Sequence, residues 1–365
     1  MAPTPSIRPK PASGTLVTAG PPVNPFPRPP DITLAKNDKL KDAVVKAVND
    51  DVTARRGPPA EFAISIADPS NNVIGGFNGD HEYYSGSVVK VGVLYAAHGL
   101  LEMVRRLANL LSPKSADDLF VSLRADMKAA IERSSLLIFG GANPQQRLPN
   151  YEKVLAVKGS GGKLQIAFNT TYSNDLRLMI VNNDNDAAGR CIHGLGFSYL
   201  NGALEQGGFF DPKSKTGIWA AGDFHHGWTP VRIRCENMPE RTGGTAQGAT
   251  TDALAWVFAI IVLGNVFDDP SSHISMKNLL KSAAAESWLV LPNLNADRLD
   301  ASQVTHAKIG LGEDPRVYSE VAIIKGIAPK TDKIYMVAWQ NIDWSFYWTR
   351  DIVTIIKNAI RVYET

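Results

Sequence analysis

Ser87 and Lys90 are the residues whose types and spacing point most directly to chemistry, because Ser87-Val88-Val89-Lys90 fits the pattern S-x-x-K. A Gly-containing stretch, Tyr84-Ser85-Gly86, precedes it, and a helical apolar pattern runs from Val88 to Leu107. A serine in the first turn of a helix and a lysine three residues later lie on one face. The amine can then take the hydroxyl proton, provided burial and neighbouring charge keep it from being fully protonated. Backbone N–H groups at the helix start would sit near a developing oxyanion. The competing reading makes Ser87 a helix N-cap and leaves Lys90 solvated. The pattern alone does not decide, since Ser160-Gly161-Gly162-Lys163 repeats it in a glycine-rich loop.

The elements around Ser87 carry more information. Leu40, Val44, Val45, Val48 and Val52 recur at helical spacing, which predicts a helix from near Asp38 to Arg56-Gly57. Phe62, Ile64 and Ile66 alternate, Pro69-Ser70-Asn71-Asn72 signals a turn, and Val73-Ile74 resumes a strand, giving an antiparallel hairpin. Helices are expected over Asp117 to Leu137, Leu176 to Val181, Ala187 to Leu195 and Asp252 to Leu263. The stretch from Gly207 to Gly248 reads as irregular. Strands are expected over Val317 to Lys325 and Lys333 to Ile342, and a last amphipathic helix carries Ile352, Ile355, Ile356 and Ile360. Segregated strands and helices argue an α+β fold, with a helical middle inserted into an antiparallel sheet built from both chain ends.

Two further blocks fall on this frame. Asn182-Asn183-Asp184-Asn185 precedes a helix, and Lys308-Ile309-Gly310 precedes the strand pair and terminal helix. With Ser87 to Lys90, the three blocks resemble, in order, the S-x-x-K, S-D-N and K-[TS]-G motifs of the serine β-lactamase and penicillin-binding-protein superfamily, nearest to class A β-lactamases. The resemblance covers about Asp38 to the C-terminus. It implies a β-lactamase/transpeptidase-like fold: 38–365 as the catalytic domain, a helical subdomain over about 100–300, and a sheet from 58–80 and 303–345. Residues 1–37 lie outside the resemblance and, from their prolines, read as a disordered Pro-rich leader.

The resemblance also implies roles. Ser87 would be acylated and Lys90 would help remove its proton. Backbone N–H groups of Ser87 and Leu311 would form the oxyanion hole, with Gly310 beside them on the substrate side. Asn185 would hold Lys90 and the substrate amide oxygen, Asp184 would be a structural anchor, and Lys308 would supply positive charge. The chain departs from the pattern twice. Asn183 stands where a serine would relay a proton to the leaving group, and an amide is a poor relay; Asn183 and Asp184 could instead merely cap the next helix. Ile309 replaces the hydroxyl residue that helps bind a substrate carboxylate. A literal Lys215-Thr216-Gly217 comes too early in the chain and reads as a surface turn. The E-x-x-L-N string is absent; Glu236 lies 15 residues before Thr251, at about the family's spacing, and is the candidate base for hydrolysing the acyl-enzyme, or else a solvated loop carboxylate.

The expected function is therefore that of a serine acyl-hydrolase with β-lactamase-like amide or β-lactam hydrolysis. An esterase or peptidase of the same fold, or a non-catalytic binding protein that keeps it, are the alternatives. The expected partner is a small-molecule or peptide-like acyl substrate taken by a monomer. Composition is that of an ordinary globular protein, 44% hydrophobic and 20% charged. A formal net charge of +2, without long blocks of one sign, gives no support to nucleic-acid binding. The longest apolar run, Ala253 to Leu263, is too short to span a bilayer. His225-His226 has no third ligand at a recognisable spacing, so neither a metal nor a cofactor is expected. His193 reads as a core histidine. Cys191 and Cys235 could pair or stay as two buried thiols. The first 30 residues hold ten of the 23 prolines and no apolar h-region; the family is generally exported, and export is the expectation that the resemblance alone supplies.

Overall fold

The computed structural model describes residues 24–27, 33–55, 61–132, 148–159, 163–214, 216–224, 247–264, 266–290, 298–313, 316–343 and 351–365. In chain order the elements are β1 (Ala35–Lys36), α1 (Asp38–Arg55), β2 (Ala63–Asp68), β3 (Val73–Phe77), β4 (Tyr83–Tyr84), α2 (Lys90–Leu111), α3 (Ala116–Glu132), α4 (Tyr151–Val154), β5 (Leu155–Lys158) and β6 (Gln165–Phe168). There follow α5 (Thr170–Val181), α6 (Asn185–Leu195), α7 (Phe197–Gln206), β7 (Phe210–Asp211), β8 (Thr216–Gly217), β9 (Trp219–Ala220) and β10 (Gln247–Ala249). The chain closes with α8 (Thr251–Leu263), α9 (Pro270–Ala283), β11 (Val304–Glu313), β12 (Arg316–Lys325), β13 (Ile334–Asp343) and α10 (Ile352–Glu364).

The main sheet has the order β1-β3-β2-β13-β12-β11, so strands from the two chain ends meet at the β2–β13 seam. Every pairing in it is antiparallel except β1 with β3. The fold is α+β, with a sheet from both ends and a helical middle. β12 is apolar on both faces because both are covered. Ala322 and Ile324 face a core shared with α1 and α10, while Val321 and Ile323 face the core that holds α2 and α8. This alternation fixes which side each β11 residue takes, since Lys308 registers with Val321 and Ile309 with Glu320.

α2 is the central helix of the second core and is buried along nearly its whole length. The stretch 86–111 is apolar and long enough to cross a membrane, yet 94% of its most apolar window is buried inside the protein. Its C-terminus is a residue in the left-handed region, Ser112.

Several expectations are corrected. Order does not wait until Asp38: Phe26 is buried and its ring stacks on Tyr199 at 5.6 Å, Arg106 donates to the Asn24 carbonyl, and β1 pairs with β3. These aromatic and backbone contacts bring parts of the leader onto the folded body. Lys308 precedes the β12–β13 pair, as expected, and sits within a further strand, β11. α7 and α9 and the β5–β6 hairpin carried no expectation, and α5 starts at Thr170, where the Asn169 side chain accepts from Tyr172 N. Short strands occur between Gly207 and Gly248, where irregular chain is expected. The C-terminal part of the helix expected to reach Leu137 lies outside the described residues.

Candidate active site

The serine turn is built first. β4 leads through Gly86 into a 3-10 turn, Gly86–Val89, that runs straight into α2. Gly86 has φ +53°, and a Cβ there would lie 3.1 Å from the carbonyl carbon and oxygen of Leu311. Both the backbone angle and the space call for glycine. The Gly86 carbonyl accepts from Gln247 Nε2 at 2.8 Å, a buried tie from β10 that sequence reasoning missed. A polar residue beside Gly248-Ala249 in an apolar strand was its only signal.

β11 lies directly against this turn. A Cβ on Gly310 would meet Val88 N at 2.7 Å, Ser85 O at 2.9 Å and Ser87 N at 3.0 Å. The glycine two residues after Lys308 is thus what allows the strand to touch the serine backbone. Leu311 follows on the same strand and is 39% exposed. Ser87 itself is 4% exposed, and among the described residues its hydroxyl makes no hydrogen bond.

The third wall is the α5–α6 junction. Asn182 N and Asp184 N both donate to the Leu178 carbonyl, and Asn183 between them adopts φ +57°, a conformation that asparagine tolerates better than most residues. Asp184 is the N-cap of α6, its Oδ1 accepting from Ala187 N at 2.7 Å. Asn183 is not a cap.

Two lysines converge on this junction. Lys90 Nζ donates to the Asn183 carbonyl and to Asn185 Oδ1, each at 2.8 Å, and lies 3.3 Å from the Asp184 carbonyl and 3.4 Å from Asn183 Oδ1. Lys308 Nζ reaches across from β11 and donates to Asn183 Oδ1 at 2.6 Å and to the Ile309 carbonyl at 3.0 Å. Lys90 is fully buried, so it is not the solvated lysine of the competing reading, and Lys308 is only 1% exposed. Burying an ammonium costs several kcal/mol without compensating acceptors, and here each amine finds carbonyl oxygens. The Phe224 ring also lies under Lys90, 5.0 Å from Nζ.

The electrostatics follow from the burial. Desolvation pulls the Lys90 amine down to about 7, against the opposing pull of Asp184 and then Cys191. Burial, and then the charge of Lys90, hold Lys308 well below the ordinary lysine range, with Glu320 acting the other way. Glu320, behind the sheet, is pushed up to about 8 by burial although Ser287 Oγ donates to it. An amine that is partly neutral at neutral pH, one helical turn from a serine hydroxyl with no hydrogen-bond partner among the described residues, is able to act as a base.

The structure thus brings together Ser87, Lys90, Asn183, Asp184, Asn185, Lys308, Gly310 and Leu311. Ile309 turns to the opposite core. Glu236 lies outside the described residues, as do Ser160, Lys215, Cys235 and the His225-His226 pair. Cys191 is a buried free thiol. His193 is partly exposed and its Nε2 lies 2.8 Å from Asp223 Oδ2, so it is held by a carboxylate at the rim of the core.

No family model matches the chain, and no curated protein does. Among solved structures the chain is similar to a β-lactamase from Sphaerobacter thermophilus DSM 20745, with 15% identity, 88% of this chain and 97% of that chain covered, and a TM-score of 0.48. It is also similar to a class A β-lactamase described as the last common ancestor of Gram-negative bacteria, with 16% identity, 88% and 97% covered, and a TM-score of 0.45.

Proposed function

We propose that the protein is a serine acyl-hydrolase that works through an acyl-enzyme on Ser87. The observation that carries this reading is the convergence of three distant chain segments. The Ser87 turn and β11 meet where a Cβ on Gly310 would lie 3.0 Å from Ser87 N, and Lys90, three residues after Ser87, shares the Asn183 side chain of the α5–α6 junction with Lys308 of β11. A non-catalytic binding site has no need to bury two lysines, and that burial weighs against the binding-protein alternative.

Ser87 Oγ attacks a carbonyl carbon while neutral Lys90 takes its proton. The backbone N–H groups of Ser87 and Leu311 would receive the oxyanion. Water then releases the acyl group, with Glu236 as the candidate base. β-Lactam and ester hydrolysis both belong to this class; the order of the three motifs favours the first, and Asn183, standing where a hydroxyl would relay a proton to a leaving nitrogen, favours the second. Ile309, packed into the opposite core, offers no hydroxyl to a substrate carboxylate.

A fluorophosphonate probe tests the reading, because its fluoride leaves without needing a proton from the site. The wild-type protein is expected to be labelled and Ser87→Ala to be blank. Equal labelling of both proteins would reject the assignment.

A further inference from the structure

Resting on that reading, we infer that this site expels oxygen leaving groups rather than nitrogen ones, with Asn183 as the residue that sets the choice. The atom its two amines share is an amide oxygen. Such an oxygen accepts hydrogen bonds and has no proton of its own to hand forward, and the amide nitrogen donates hydrogen bonds without releasing a proton. Among the described residues no hydroxyl hydrogen-bonds to either amine.

When Ser87 Oγ attacks, the Oγ–C bond forms, the carbonyl π pair moves onto oxygen, and the hydroxyl proton passes to the Lys90 amine. Collapse restores the C=O bond and breaks the bond to the leaving group, which departs with the electron pair. A phenoxide or an activated alkoxide can leave carrying that charge and take a proton from water afterwards. An amine cannot leave as an anion, so its nitrogen must be protonated before the C–N bond breaks. The proton then sits on Lys90, whose acceptors are the backbone carbonyl oxygens of Asn183 and Asp184 and the side-chain Oδ1 atoms of Asn183 and Asn185. Lys308 likewise donates to the Asn183 and Ile309 oxygens. Asn183 is fixed in this pose by the junction itself, at φ +57° between two helices.

The test uses one acyl group presented as a p-nitrophenyl ester and as a p-nitroanilide, with kcat/KM measured for both on the full chain. Wild type is expected to turn over the ester and to leave the anilide at background. Asn183→Ser supplies a hydroxyl relay and is expected to lower the ester-to-anilide ratio by about 10²-fold, the lower end of what a positioned acid contributes. Asn183→Gly suits the positive φ but supplies no relay, and is expected to keep the wild-type ratio. The ratio cancels any loss of folded protein. If Asn183→Ser does not fold, Asn183→Asp, tolerated at positive φ and able to hold a proton, replaces it. Anilide turnover by wild type at a ratio no larger than that of the relay variant would overturn the inference. Fluorophosphonate labelling of Ser87 alongside such a result would leave the acyl-enzyme reading standing. Loss of Ser87 labelling would remove both.

Discussion

Lys90 and Lys308, from a helix and a strand far apart in the chain, place their amines on one atom: Asn183 Oδ1 lies 3.4 Å from the first and 2.6 Å from the second. Two ammonium ions so close in a buried site repel each other strongly. Burial holds the Lys90 amine down to about 7, and burial together with the charge of Lys90 holds Lys308 well below the ordinary lysine range. That is the physical basis for proposing Lys90 as a base rather than as a fixed cation.

The pH dependence of acylation follows. Lys90 must lose its proton to accept one from Ser87, so the labelling rate should rise as pH climbs through about 7. Lys90→Met should cost about 10²–10⁴-fold and flatten the profile. Asp184→Asn keeps a capping side chain but removes a negative charge that favours the ammonium form. The acid limb should then move to lower pH. Labelling rates across a pH series check both, and a limb unmoved by Asp184→Asn would mean that another group governs it.

Gly310→Ala tests the contact between β11 and the serine turn. The added Cβ would fall within 3.0 Å of three backbone atoms, none of which can swing aside. Overpacking of this kind costs about 1–3 kcal/mol. Chemical denaturation should show a loss in that range, and acylation should fall further than stability alone explains, because β11 carries both Lys308 and the Leu311 N–H. Wild-type acylation in the variant would show that the close approach is dispensable.

How much of this was legible in the sequence differs by element. The α1 helix, the β2–β3 hairpin and β12 with β13 follow from apolar periodicity, because their buried faces are filled with apolar side chains. β11 escaped it. His306 and Lys308 are buried there, and Gly310 and Gly312 interrupt the run, so function and close packing replace the pattern that periodicity reads. Ser87, Lys90, Asn185 and Lys308 were found by motif order, not by any local signal strong enough alone. Phe224 under Lys90 and Gln247 on Gly86 depend on long-range contacts that no local pattern encodes. Glu320 left a trace, a charge within an apolar strand, whose meaning needed the Ser287 hydroxyl to become visible.

Glu320 gives a stability prediction. Its folded-state value, about 8, lies above the ordinary 4.5 because burial penalises the carboxylate. The fold therefore prefers the neutral acid. Its contribution is intact below about pH 4.5 and is lost as pH rises through about 8. Glu320→Gln should remove that decline, so that the melting temperature of the variant gains on wild type between pH 6 and pH 9. A difference that stays constant across that range would contradict the assignment.

Glu236→Gln addresses the second half of the reaction. As the candidate base for the deacylating water, its loss should leave the acylation burst intact and slow steady-state turnover by about 10²–10⁴-fold. Intact-mass measurement should then show a persistent acyl adduct after mixing with an ester. Turnover unchanged from wild type would return Glu236 to the role of a loop carboxylate.

The most direct measurement is mass-spectrometric peptide mapping of the protein after fluorophosphonate treatment. A single phosphonyl adduct on the peptide that carries Ser87, absent in Ser87→Ala, is the expected result. An adduct on the Ser160 peptide instead, or an unmodified Ser87 under conditions that label a control serine hydrolase fully, would contradict the acyl-enzyme on Ser87.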